Sequence, residues 1–202
     1  EKRELYAMLR NVLGSIAVLS SPLSALSLSR LLNTPIEDID QTLEDLYAIL
    51  YIPKDHTRPL GLHHPSFRDF LLNNERCSDP NFLVDKKQAH RTLFNRCTQL
   101  MHTCLKRDIC GVGAAGVFVT DISNSLVEQC IPPELQYACL YWVEHLRQGD
   151  VQLHDDEQVH QFLQKHFLHW LEALSLMRKT SESILAINLL ESTVIVRNFF
   201  LG

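Results

Sequence analysis

No stretch of this chain approaches the roughly 20 consecutive apolar residues that a membrane-spanning helix needs. The longest apolar runs are broken by Ser, Pro or charge, so the sequence predicts a soluble chain with no membrane partner. Basic charge is scarce as well. Lys and Arg number 19 against 24 Asp and Glu, a formal net charge of −5, whereas a general nucleic-acid clamp needs a basic excess. Seven Gly and eight Pro in 202 residues exclude collagen-like and mucin-like classes, and 46% hydrophobic content excludes a disordered one. The six cysteines (Cys77, Cys97, Cys104, Cys110, Cys130 and Cys139) form no C-x-x-C pair. They lie in or beside apolar helical patterns and read as reduced core filler. What remains is an ordinary globular composition, enough for one large or two small domains. The chain opens Glu1-Lys2-Arg3-Glu4, with neither a signal peptide nor an initiator Met, and is expected to be an excerpt from a longer one.

Leu5, Met8, Leu9, Val12, Leu13, Ile16 and Leu19 form one stripe at helical period, stopped by Pro22. A short helix over about 25–33 follows, ending at Asn33. Thr34-Pro35-Ile36-Glu37 then reads as N-cap, first helical proline and N3 acid of a third helix, with Ile36, Ile39, Leu43, Leu46 and Leu50 inward. Tyr51-Ile52-Pro53 and Pro59-Leu60-Gly61-Leu62, joined by a polar turn over Lys54–Arg58, predict two short extended segments. Ser66-x-x-Asp69 reads as a capping box opening a fourth helix with Phe67, Phe70 and Leu71 inward. Three helices, a small β wing and this helix make a winged-helix domain over 1–75.

Arg76–Pro80 is turn-rich and serves as a boundary, and 76–202 reads as all-α. Asp85 caps a helix of about 86–106. Ser125-x-x-Glu128 starts a short helix ended by Ile131-Pro132. Pro133 begins another, ended by Gly149. Asp155 or Asp156 caps the next, and a last helix covers roughly 181–200. Leu140-Tyr-Trp-Val-Glu-His-Leu146 echoes Leu168-His-Trp-Leu-Glu-Ala-Leu174 at a separation of 28. Two copies are too few for a solenoid and predict two Trp-anchored core helices.

Gly111-Val-Gly-Ala-Ala-Gly116 matches G-x-G-x-x-G, a string that cradles a pyrophosphate only between a strand and a helix N-terminus. Here a helical segment precedes it and the strand-like Val117-Phe118-Val119-Thr120 follows, so it reads as a helix connection. His166, His169 and Glu172 are spaced by three, yet a zinc site wants three or four ligands, and Phe167 and Trp170 interleave them. They read as a partly polar helix edge. Neither H-E-x-x-H nor G-x-S-x-G occurs, and no Cys/His pairing has a local signature. The third helix, normally the DNA reader of a winged helix, carries Glu37, Asp38, Asp40, Glu44 and Asp45, with no Lys or Arg between 31 and 53. Carboxylates repel phosphate, and Lys54 and Arg58 in the wing are too few to offset them. Lys86, Lys87, Arg91, Arg96, Lys106 and Arg107 read as a solvated helix face.

The informative string is Leu62-His63-His64-Pro65-Ser66-Phe67-Arg68-Asp69-Phe70-Leu71. Helix N-termini attract anions, and an imidazole just before one can donate to a phosphate oxygen. The alternative is a wing histidine satisfied by a backbone carbonyl. His64-x-Ser66-Phe67-Arg68-Asp69-Phe70 resembles H-x-[ST]-F-[QR]-[DE]-[FY], the signature in the winged-helix domain of NACHT-type NOD-like receptors. The string through Leu71, followed by Arg76-Cys77, resembles the fungal members, STAND NTPases of vegetative-incompatibility type. So do Asp85-x-x-x-Ala89-His90, Leu105-Lys-x-Asp-Ile-Cys110, Pro132-Pro133-x-x-x-Tyr137-Ala138-Cys139-x-Tyr141-Trp142 and His169-Trp-Leu-Glu-Ala-Leu-Ser-Leu176. The resemblance covers nearly the whole chain and places it C-terminal to a NACHT module.

The resemblance implies that His64 reaches the β-phosphate of ADP held by the upstream NACHT module and latches the inactive state, with His63 as the alternate. It implies that Ser66 and Asp69 cap the helix while Phe67 and Phe70 anchor it. Exchange for ATP, with Mg, frees the latch, and the cytoplasmic receptor homo-oligomerises. No G-x-x-x-x-G-K-[ST] loop and no acidic strand motif for Mg occur in this chain. The segment itself is therefore expected to hold no cofactor or metal and to be no enzyme. No WD, ankyrin or tetratricopeptide repeat occurs before Gly202. Two rival readings stand beside this one: a helical scaffold docking a partner through its Trp142 and Trp170 helices, and a winged-helix DNA-binding module.

Overall fold

Apolar residues at helical spacing and well-placed caps make this chain mostly helical, with one two-stranded sheet among the described residues. The computed structural model describes residues 2–44, 46–77, 79, 81–113, 118–151 and 157–199. Asp45, the Asp155/Asp156 cap and Ala114–Gly116 of the glycine string lie outside the described residues. The chain divides into two compact units, Glu1–Leu93 and Phe94–Gly202. The division falls inside helix α5 (Lys86–Cys104), and the boundary expected near residue 75 lies within the first unit.

In the first unit, α1 (Lys2–Val18) buries Val12, Leu13, Ala17 and Val18. Ser24 opens α2 (Ala25–Leu32): its hydroxyl accepts the Ser27 N–H at 3.1 Å. Asn33 closes α2 in the left-handed region at φ 51°, a conformation asparagine tolerates better than most residues. Helix α3 (Ile36–Glu44) buries Ile39, Thr42 and Leu43. It is shorter than its periodicity predicts. Leu46 is buried in the turn that follows, and Leu50 belongs to β1 (Leu50–Tyr51). An apolar residue every three or four positions fits either a continuing helix or a turn entering a strand, and here the turn wins. The expected Thr34 cap is replaced as well: the Thr34 hydroxyl turns back to the Leu32 carbonyl at 3.5 Å. β1 pairs antiparallel with β2 (Gly61–Leu62), Leu50 opposite Leu62 and Tyr51 opposite Gly61. A further bridge joins Ser24 to Pro59. α4 (Pro65–Leu71) packs on α1 and β2 through buried Leu71. Asp85 caps α5, accepting the Gln88 N–H at 3.0 Å.

In the second unit, α6 (Asn124–Cys130) is capped by Ser123, whose hydroxyl accepts from the Leu126 N–H at 3.3 Å. The cap therefore lies two positions before the expected Ser125. The segment expected to be strand-like contains a single 3-10 turn, Val119–Asp121, beside its exposed neighbour Phe118. α7 (Pro133–Gln148) begins at Pro133 and ends at Gly149, as the sequence predicts. It packs against α8 (Glu157–Leu176) and α9 (Thr180–Phe199). The internal echo is explained by packing. Trp142 and Trp170 meet edge to face with ring centres 5.5 Å apart, Phe94 and Phe162 close around Trp142, and the Trp170 N–H donates to the Cys139 carbonyl at 2.8 Å. Both indoles are 0% exposed, so the rings themselves serve the core.

Candidate functional site

The segment between β2 and α4 delivers two adjacent histidines to different tasks. Leu50 and Leu62 point into the core side of the ladder, while Tyr51 is exposed. His63, one step beyond β2, donates its backbone N–H to the Ile49 carbonyl at 3.1 Å. Its exposed ring sits edge-on to Tyr51 with centres 6.4 Å apart. The next residue, His64, has an extended backbone (φ −145°, ψ 136°), and Pro65 behind it starts α4, a favourable first helical residue because its missing N–H would have no partner there.

The cap of α4 is His64, two positions before the Ser66 that the capping-box reading assigned. The Nδ1 of its imidazole accepts the Ser66 backbone N–H at 3.1 Å and lies 2.7 Å from the Ser66 hydroxyl. With Nδ1 accepting, the neutral ring carries its proton on Nε2. Because His64 is exposed, that N–H is a donor held at a set angle on the surface. Ser66 thus orients the histidine instead of capping in its own right. Asp69 is exposed on the outer side of α4.

Phe67 and Phe70 stack with centres 6.3 Å apart, but Phe70 is 36% exposed and Phe67 only half-buried. Leu71, at 1% exposure, holds α4 to its unit, a task the expectation gave to the two rings. Tyr51, the partner of His63, is 46% exposed, and Tyr47 in the turn after α3 is an exposed aromatic too, at 59%. Sequence reasoning did not single these tyrosines out. The strand alternation, Leu50 in and Tyr51 out, was the available signal for one of them.

The acidic character of α3 is retained on its surface: Glu37 and Glu44 are exposed, Asp38 and Asp40 half-buried. Asp40 lies 3.6 Å from the His56 ring. In the turn, Asp55 accepts the Thr57 hydroxyl and N–H at 2.7 and 2.9 Å, which holds its carboxyl below the usual range. Lys54 and Arg58 remain the basic residues of this turn.

The other two constellations fall in the second unit. Asp108 (φ 53°) accepts the Val112 and Gly113 N–H groups on its two carboxylate oxygens, at 2.7 and 2.9 Å. Gly111 and Gly113 take φ of 64° and 68°. These amides, which a pyrophosphate would need, are already satisfied by the chain's own carboxylate. His166 is buried beside His102 and His169, with ring centres 4.9 and 5.5 Å away. Burial, then the charges of His102, Lys165 and His169, push its pKa down, with the Leu105 backbone acting the other way. Glu172 turns aside and accepts the Asp108 N–H at 3.3 Å. Among the described residues no group of three or more His, Cys, Asp or Glu side chains could hold a metal ion, and no helix is long and apolar enough to cross a membrane.

No family model matches the chain, and no solved structure matches it. Among curated proteins it is similar to the vegetative incompatibility protein HET-E-1 of Podospora anserina, with 30% identity over 207 aligned positions. The match covers 91% of this chain and 15% of that much longer relative.

Proposed function

We propose that this chain is the regulatory winged-helix and helical segment of an intracellular fungal STAND (NACHT) NTPase receptor of the vegetative-incompatibility type. In this reading it latches the ADP-bound, inactive state and transmits the change when the nucleotide is exchanged. The similarity to HET-E-1 along 91% of the chain supports the kind of receptor. The arrangement of α1, α2 and α3 before a β1–β2 hairpin, with Ser24 bridged to Pro59, supports the winged helix over 1–75. Residues 76–202 form the helical bridging part.

The observation that carries the latch is His64. Its Nδ1 is engaged by Ser66, leaving Nε2–H as the remaining donor of an exposed side chain. Such a donor suits a phosphate oxygen of ADP held by an upstream NACHT module. His63, drawn against Tyr51, is the secondary candidate. A charge-assisted hydrogen bond contributes about 1.5–3 kcal/mol, enough to shift a two-state balance roughly ten- to a hundredfold. It is too little to bind a nucleotide by itself. ADP, ATP and Mg therefore belong to the upstream module, and this segment performs no chemistry of its own. Its partners are that module and, in the active state, other copies of the receptor in the cytoplasm.

The test is signalling without a trigger. In the full receptor, His64→Leu should raise resting activity about tenfold or more, whereas His63→Leu should leave it near the wild-type level. Unchanged resting activity in His64→Leu, with normal protein levels, overturns the latch. A DNA-binding reading finds no support in the acidic surface of α3.

A further inference from the structure

A cavity of about 390 Å³ in the second unit is walled by opposite charges that do not pair. Its volume falls within the roughly 300–1,000 Å³ of small-molecule sites. Arg107 comes from the turn leaving α5, and Glu172, Ser175 and Leu176 from one face of α8. Among the described residues Arg107 has no hydrogen bond or ion pair, and only one Glu172 oxygen is engaged, by the Asp108 N–H. The Ser175 hydroxyl is open too. Ser15, Thr42, Thr92, Thr103 and Thr193 each turn theirs back to the carbonyl four residues earlier, whereas Ser175 makes no such bond among the described residues. Buried Ile122 and Leu176, with half-buried Val119, supply an apolar wall. We propose that this cavity binds a small aliphatic zwitterion, an α-amino acid of the leucine class.

Each part of that ligand answers one of these groups. The carboxylate pairs with the Arg107 guanidinium, whose planar fork suits it. The ammonium donates to the second Glu172 oxygen and to the Ser175 hydroxyl, and the side chain covers Val119, Ile122 and Leu176. Other ligand classes fit worse. A phosphate would seek backbone amides, but those of Val112 and Gly113 are held by Asp108 at 2.7 and 2.9 Å. A lone amine leaves Arg107 unanswered, and a lone carboxylate leaves Glu172 so. An uncharged molecule would desolvate both charges without compensation. The Asp108 carboxylate and the Glu172 contact already fix the loop that forms one wall, so binding orders little further. The site belongs wholly to the second unit, whereas His63 and His64 belong to the first, and it stands apart from the latch.

The test is a saturation-transfer NMR titration of the intact protein with L-leucine, glycine, N-acetyl-L-leucine and L-leucinamide. L-leucine should saturate below about 10 mM. The other three lack, in turn, the aliphatic side chain, the ammonium and the carboxylate, and each should bind at least about tenfold more weakly. Arg107→Met keeps the stem without the charge, and Glu172→Gln keeps an oxygen for the Asp108 N–H. Each variant should weaken L-leucine binding about tenfold, with the unfolding midpoint in its absence unchanged from the parent. Absence of saturable L-leucine binding overturns the proposal. So does equal affinity for L-leucine and either blocked analogue, or parent affinity in both variants.

Discussion

His64 has an observed role as a helix cap and a proposed one as the latch, and substitution can separate the two. As the cap of α4 it satisfies the Ser66 amide, and losing a capping acceptor costs about 0.5–2 kcal/mol. His64→Ala should lower the urea midpoint accordingly. His64→Asn, whose side-chain oxygen can still cap, should recover most of that loss without restoring the reach of the imidazole. Equal destabilisation by both variants would mean that the cap contributes nothing measurable. The two buried tryptophans make a second contrast. The Trp170 N–H is bonded to the Cys139 carbonyl, whereas among the described residues the buried Trp142 N–H has no partner. Replacing each by Phe removes similar ring area but only one hydrogen bond. Trp170→Phe should therefore be the more destabilising by about 1 kcal/mol, as read from denaturant midpoints.

His166 gives the molecule a pH dependence of definite sign. Its pKa is depressed in the folded state, by burial first and then by the facing charges of His102, Lys165 and His169. The unfolded chain therefore binds more protons in this range, and stability rises with pH. The share contributed by His166 is present above the ordinary histidine value of about 6.5 and is lost as pH falls below it. Unfolding midpoints measured at about pH 5.5 and 7.5 should differ less in His166→Gln than in the parent protein. An unchanged difference would assign the slope to other groups.

At the scale of elements, α2 is held at both ends by side-chain chemistry visible in its sequence, Ser24 before it and Asn33 after it. Ser24→Ala should cost about 1 kcal/mol, because the Ser27 amide it caps is buried. The hairpin was legible too, since the Pro and Gly punctuation around Leu60 leaves little alternative to two short strands. Three features were not legible. Leu46 and Leu50 continue the period of α3 yet leave the helix. Local rules favour Ser over His as a cap, but the chain enters α4 through an extended His64 before Pro65. Phe67 and Phe70 look like core anchors because hydrophobicity alone does not say which side of a seven-residue helix faces inward, and Leu71 fills that place. In each case tertiary packing chose between local solutions of similar energy.

At the scale of the whole chain, the helical character and the candidate histidines follow from the residues, while the proposed role invokes a nucleotide-binding module for which this sequence carries no G-x-x-x-x-G-K-[ST] loop. The match to HET-E-1 spans 15% of that protein, so the proposed latch concerns how such a segment would meet the rest of a receptor. The acidic α3 surface predicts that the chain does not shift duplex DNA even at low salt. A salt-sensitive shift would favour the rival winged-helix role. The central claim is tested most directly by the rate at which the full receptor releases labelled ADP in the presence of Mg. If the His64 imidazole holds the β-phosphate, His64→Leu should speed release about tenfold or more while His63→Leu changes it little. Identical release from the parent and His64→Leu receptors would contradict the account.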